Sequence, residues 1–152
     1  MVTDVRFLPL WFILLLFVPL HAVEPALSFD RVQVPAMKTS VYVGTVTLKT
    51  GEFVRAGGTF EATYEAKVFP WFFWSEHGRI AMHVPAAELA RLARGERIEF
   101  TGDAHNHRDK PRRVTGHAEP ADPASGRIKV RIHLDDLTLV FEGVYRFVPP
   151  PA

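Results

Sequence analysis

The sequence predicts an all-β fold: a single antiparallel meander forming a small barrel or sandwich of about 7–9 strands, with one short helix near residues 85–94. Three observations carry this prediction. Apolar and polar residues alternate with period two through most of the stretch from Tyr42 to Phe147. Turn signals rich in Gly, Pro and Asp separate the alternating runs. Helical start and stop signals occur together in one stretch, Pro85 to Gly95.

The N-terminus stands apart from this pattern. Phe7 to Leu20 are fourteen residues without a charge, whereas a membrane-spanning helix needs about 20. The run fits the apolar region of a secretory signal peptide, with cleavage after Ala22. Leu20 is large for the upstream recognition position and Asp4 offsets Arg6, so an uncleaved anchor formed by residues 7–20 is the alternative. Cleavage of residues 1–22 implies an exported protein, periplasmic or extracellular, of 130 residues (152 − 22). Residues 23–147 then form one β domain, and 148–152 a Pro-rich tail that cannot continue a ladder.

Within the domain, Tyr42, Gly44, Val46 and Leu48 alternate with polar neighbours and predict one inner face. A three-residue loop, Thr50 to Glu52, brings Leu48 opposite Val54. Alternation then runs over residues 54–68, with Val54, Phe60, Ala62, Tyr64, Ala66 and Val68 inward, and Gly57-Gly58 marks a bend or bulge. Ile80 to Val84 is a short strand. In the helix, Pro85 suits the first turn, Glu88 lies early, Arg91 and Arg94 lie late, and Gly95 supplies the stop. Leu89, Leu92 and Ala93 form its apolar stripe.

Four strands follow. Their inner faces are Ile98, Phe100, Gly102 and Ala104; then Val114, Gly116 and Ala118; then Ile128, Val130, Ile132 and Leu134; then Leu137, Leu139, Phe141, Gly143, Tyr145 and Phe147. A two-residue loop at Asp135-Asp136 puts Ile132 opposite Leu139. A turn near Pro123 puts His133 opposite Arg113 and Lys129 opposite His117, and one centred on Asp109-Lys110-Pro111 puts Asp103 opposite His117.

Composition narrows function. The chain has 18 basic and 17 acidic residues, so no basic excess points to nucleic acid. It has no cysteine, which excludes disulfides, thiolate metal sites and a cysteine nucleophile. No phosphate loop, dinucleotide fingerprint or zinc-protease helix motif occurs, so no cofactor is expected. No serine sits in a Gly-x-Ser-x-Gly elbow. Ser75-Glu76-His77 carries triad residue types, but adjacent residues point in different directions and cannot form a relay. His105, His107 and His117 are candidate metal ligands, opposed by Arg113, Lys129 and Arg131 on the same polar face.

The inner face mixes large and small residues, the pattern of barrel taper or of an apolar cavity. The stretch KVFPWFFWSEHG, residues 67–78, is the most unusual in the chain: Phe69, Trp71, Phe72, Phe73 and Trp74 fall within six positions. If it is extended, Trp71 and Phe73 face one way and Phe72 and Trp74 the other, so one sheet cannot bury both sides. Either the helix covers the second side, or that side meets a ligand, a partner or lipid.

The resulting expectation is an exported, non-enzymatic β-protein that binds a hydrophobic or amphipathic small molecule. Tyr42, Phe60, Tyr64 and Phe100 line the pocket, and Phe69, Trp71, Phe72, Phe73 and Trp74 guard its mouth. Two alternatives stand beside it: an interaction module docking on a partner protein or membrane surface through the aromatic patch, and a small outer-membrane β-barrel.

Overall fold

The computed structural model describes residues 28–150. The expected signal peptide or anchor, and the last two residues of the tail, lie outside them. Ten strands and one α-helix follow in order: β1 (Arg31–Gln33), β2 (Met37–Val41), β3 (Gly44–Thr50), β4 (Phe53–Ala56), β5 (Thr59–Phe69), β6 (Glu76–His83), α1 (Ala86–Ala93), β7 (Ile98–Asn106), β8 (Pro111–Pro120), β9 (Ser125–His133) and β10 (Thr138–Phe147).

The strands form a barrel and not a sandwich. β4 to β10 pair antiparallel in chain sequence, and β1 pairs with both β10 and β4, closing a ring of eight. The remaining two strands extend one wall: β3 pairs with the upper half of β5, and β2 pairs with β3.

β3 and β4 lie on the same edge of β5, so they are two halves of one bent strand. The expected hairpin at Thr50–Glu52 is absent: Leu48 faces Ala66 on β5, not Val54. The hairpin comes instead at Gly57-Gly58, where Ala56 pairs with Thr59. Gly57 takes a φ of +66°, a backbone conformation that side chains disfavour. This turn also reverses the expected facing of the preceding residues. Phe53 points inward and is 2% exposed, while Val54 is 50% exposed.

β6 begins at Glu76, not at Ile80, because β5 runs to Phe69 and its backbone groups need partners. From Ile98 onward alternation is followed closely, except that Leu137, expected on the inner face, lies in the turn before β10 and is 43% exposed. Ile98, Phe100, Ala104, Val114, Ala118, Ile128, Val130, Ile132, Leu139, Phe141, Tyr145 and Phe147 are all buried. The registers His133 opposite Arg113, Lys129 opposite His117 and Ile132 opposite Leu139 are those expected. The β7–β8 turn differs. Asp103 faces Arg113, not His117, because the chain turns over His107–Lys110.

Large residues fill the spaces that small ones leave. A Cβ on Gly116 would run into the Lys129 carbonyl oxygen and come within 2.5 Å of the Phe100 ring, and one on Gly143 would come within 2.8 Å of Met37 Sδ. The small inner residues in the lower barrel therefore serve packing. α1 lies at the same end, burying Leu89 and Leu92 against β7 and β8. The helix thus closes the lower end and does not cover the aromatic run, which sits in the β5–β6 connection at the other end.

Gly116→Ala is expected to destabilise by about 1–3 kcal/mol, because the added methyl has nowhere to go. Because the Lys129 carbonyl blocks that methyl as closely as the Phe100 ring does, the Gly116→Ala/Phe100→Leu double variant is expected to be no more stable than Gly116→Ala. Urea denaturation of the three proteins checks both statements.

Candidate functional site

The upper end of the barrel is open, and the cause is local. β1 stops at Gln33, and Pro35 has no amide hydrogen with which to continue a ladder. Its continuation, β2, pairs only with β3, so no ladder joins β2 to the first half of β10. A cavity of about 550 Å³ occupies this mouth, within the roughly 300–1,000 Å³ usual for small-molecule sites.

Its lining is of two chemical kinds, which meet where Ala66 is opposite Glu76 and where β9 pairs with β8. Val41, Val46, Ala66, Val68, Ile132, Leu139 and Phe141, from β2, β3, β5, β9 and β10, form the apolar wall with Leu134 of the β9–β10 turn. Glu76, Asn106 and Arg112 form the polar wall, from β6, β7 and β8. Strand register brings these three together: Gly78 is opposite Asn106 and Ala104 opposite Arg112, all at the upper ends of their strands.

Glu76 is the centre of the polar wall. Its carboxylate accepts hydrogen bonds from Tyr64 Oη at 3.1 Å, Asn106 Nδ2 at 3.0 Å and Arg112 Nη2 at 3.2 Å. Burial alone would raise its pKa, but the Arg112, Asn106 and Tyr64 hydrogen bonds together hold it below the usual carboxylate value. Burial, and then the Glu76 charge, raises the Tyr64 phenol above its ordinary value. Arg112 is 9% exposed, and its Nε is buried with no hydrogen-bond partner. An unmet buried donor costs about 1–3 kcal/mol. Asn106 Oδ1 accepts from the Arg108 and Lys110 amides, so the residue that braces Glu76 also shapes the β7–β8 turn.

The aromatic run is a short pinned loop and not an extended strand. Phe72–Trp74 form a single 3-10 turn. The Val68 amide donates to Ser75 Oγ at 3.0 Å, and Trp71 Nε1 donates to the Val43 carbonyl at 2.9 Å. The rings pack on one another: Phe69 on Phe72, Trp71 on Phe73 and Trp74, and Phe73 on Trp74. All five remain 43–68% exposed. Phe73 and Trp74 line the cavity; Trp71 and Phe72 on the same loop, and Phe69 at the end of β5, do not.

The other expected pocket residues fall elsewhere. Tyr42 is in the β2–β3 turn and fully exposed, not on the inner face. Phe60 and Phe100 are buried in the lower core, opposite Arg55 and Gly116 respectively, and do not line the cavity. Tyr64 lies beneath it and reaches it through the bond to Glu76. Ser75, Glu76 and His77 diverge: Ser75 holds the loop, Glu76 turns inward, and His77 stacks on His107 with centroids 4.5 Å apart.

The structure does not gather the histidines. His105 is opposite Pro111 and His117 opposite Glu99, at the two ends of the β7–β8 pair, while His107 lies in the turn. Burial, and then the charge of Arg97, push the His117 pKa down. Among the described residues no group of three or more His, Cys, Asp or Glu side chains is placed to hold a metal ion.

Fold and site together define a closed antiparallel β-barrel, plugged by a helix at one end and hollow at the other. Comparison with known proteins finds no matching family model, no matching curated protein and no matching solved structure.

The polar wall has a defined pH signature. The lowered folded-state pKa of Glu76 means that its contribution is present above the unfolded carboxylate value and is lost as pH falls through the folded one. Stability is therefore expected to fall on the acid side of the ordinary carboxylate range, and Glu76→Gln to weaken that dependence. At neutral pH, Glu76→Gln is expected to cost an amount near the lower end of the roughly 3–5 kcal/mol seen when a buried pair loses one member, because the cavity admits water to Arg112. Urea midpoints across pH measure both effects.

Proposed function

We propose that this protein is an exported, non-enzymatic β-barrel that binds a small molecule with a substantial apolar part in the cavity at its open end. One observation carries the reading: a cavity of about 550 Å³ with a continuous aliphatic wall lies beneath an aromatic loop. Burying apolar ligand surface against that wall supplies about 25 cal/mol per Å² before association costs. Phe73 and Trp74 stand where such a ligand enters. Export rests on the N-terminal apolar run and its signal-like length.

A second reading draws on the rim. Tyr42, Val43, Leu137 and the five loop aromatics are exposed around the same mouth, a pattern that suits docking on a membrane surface or a partner protein. A lipid-embedded barrel is disfavoured by the charged outward positions along β5, β7, β8, β9 and β10, among them Glu61, Asp103, Arg113, Lys129 and Glu142.

Mass spectrometry of the exported protein, purified without detergent, is expected to show a small molecule held in the native state and released on denaturation. The Phe73→Ser/Trp74→Ser variant is expected to lose most of that occupancy, with stability changed by only about 0.5 kcal/mol because both side chains are already exposed. An empty protein that also binds no long-chain alkyl probe overturns the proposal. Loss of vesicle or partner association in this variant, with ligand retained, favours the docking reading.

A further inference from the structure

We propose that the ligand carries a single carboxylate head, and that Arg112 receives it while the tail lies along the opposite apolar wall. This rests on the cavity being the binding site. Three observations lead to the head group. First, Arg112 is buried in the cavity wall with its Nε unpartnered. A guanidinium has five N–H donors, and Nη2 gives one to Glu76. Nε is closed off from the cavity, so the Nη N–H donors not given to Glu76 are the ones that meet the oxygens of a carboxylate.

Second, the local charge is one positive unit in excess. The cavity is lined by Arg108, Lys110 and Arg112 against Glu76, and Lys110 is ion-paired with Asp135, giving three cations less two carboxylates. A monoanion balances this, whereas a doubly charged phosphate would leave an excess of negative charge beside Glu76. Third, the polarity is divided by wall. Val46 on β3 and Val68 on β5 lie three or more strands round the barrel from β8, which carries Arg112, so a ligand with its head at Arg112 has apolar lining along which its tail can run. Glu76 then has a positioning role. Braced by Asn106 and Tyr64, it holds the guanidinium at the wall through Nη2.

The test compares three ligands of equal chain length at neutral pH: dodecanoate, 1-dodecanol and dodecyl phosphate, titrated into the protein and followed by calorimetry. Dodecanoate is expected to bind about tenfold to a hundredfold more tightly than the alcohol, the range for a charged against a neutral hydrogen-bonded head. Arg112→Met removes the preference. Because that variant strands Glu76, the Glu76→Gln/Arg112→Met double variant is measured as well; with its circular dichroism unchanged, it is expected to bind acid and alcohol equally. Equal binding of acid and alcohol by the wild-type protein overturns the carboxylate inference and leaves the apolar-ligand proposal standing. A preference that survives in the double variant overturns the role of Arg112. Tighter binding of the phosphate overturns the single-charge argument. Failure of all three ligands overturns the underlying proposal and this inference with it.

Discussion

The structure depends on the pairing of its first strand with its last. Val32 opposite Phe147 and Gln33 opposite Arg146 join the two ends of a meander that would otherwise present two bare edges. Closure gives every strand an inside and an outside, and makes the inside a fixed volume. In the lower barrel that volume is filled, with Phe100 over Gly116, Met37 over Gly143 and α1 across the end. Toward the upper end Pro35 interrupts the closing strand, β2 lies beside β10 without pairing to it, and the fixed volume becomes a cavity. The solid and hollow ends thus follow from where a single ladder starts and stops.

The polar wall is a consequence of the same closure. Glu76, Asn106 and Arg112 come from three strands and share no local sequence feature, but they occupy inward positions at the same level. Each would be costly alone in an apolar barrel. Together they form a cluster in which Glu76 receives three hydrogen bonds and Arg112 keeps unspent donors. Replacing such a buried ion pair by a well-packed aliphatic layer is often neutral or stabilising, so stability alone does not account for the cluster.

The aromatic loop belongs to the opening and not to the core. Its backbone is satisfied by its own 3-10 turn and by bonds to Ser75 and Val43, so the rings are held without being buried. Their packing is largely mutual, which keeps a large apolar surface organised at the rim. The proposed ligand, or the docking surface of the second reading, would account for that organisation. The helix cannot shield it, being at the far end of the barrel.

Much of the architecture was legible in the chain itself. Period-two alternation from Ile98 to Phe147 determined which side chains face inward, and apolar matching across the Asp135-Asp136 turn determined its register, because a one-residue slip would expose every buried side chain. The Pro85 and Gly95 signals likewise bounded the only α-helix among the described residues. The cavity was less legible. Continued by two residues, the same alternation places Asn106 after Ala104 and Arg112 before Val114 on the inner face, and it carries Glu76 inward with Ile80 and Met82. Those residues are polar and lie near turns, so locally they resemble loop. Only closure decided that they converge, that β3 and β4 are one bent strand, and that Phe60 and Phe100 sit below the cavity and not around it. Periodicity is a property of neighbours along the chain, whereas an enclosed space is made by strands distant in sequence and exists only once the ring is complete.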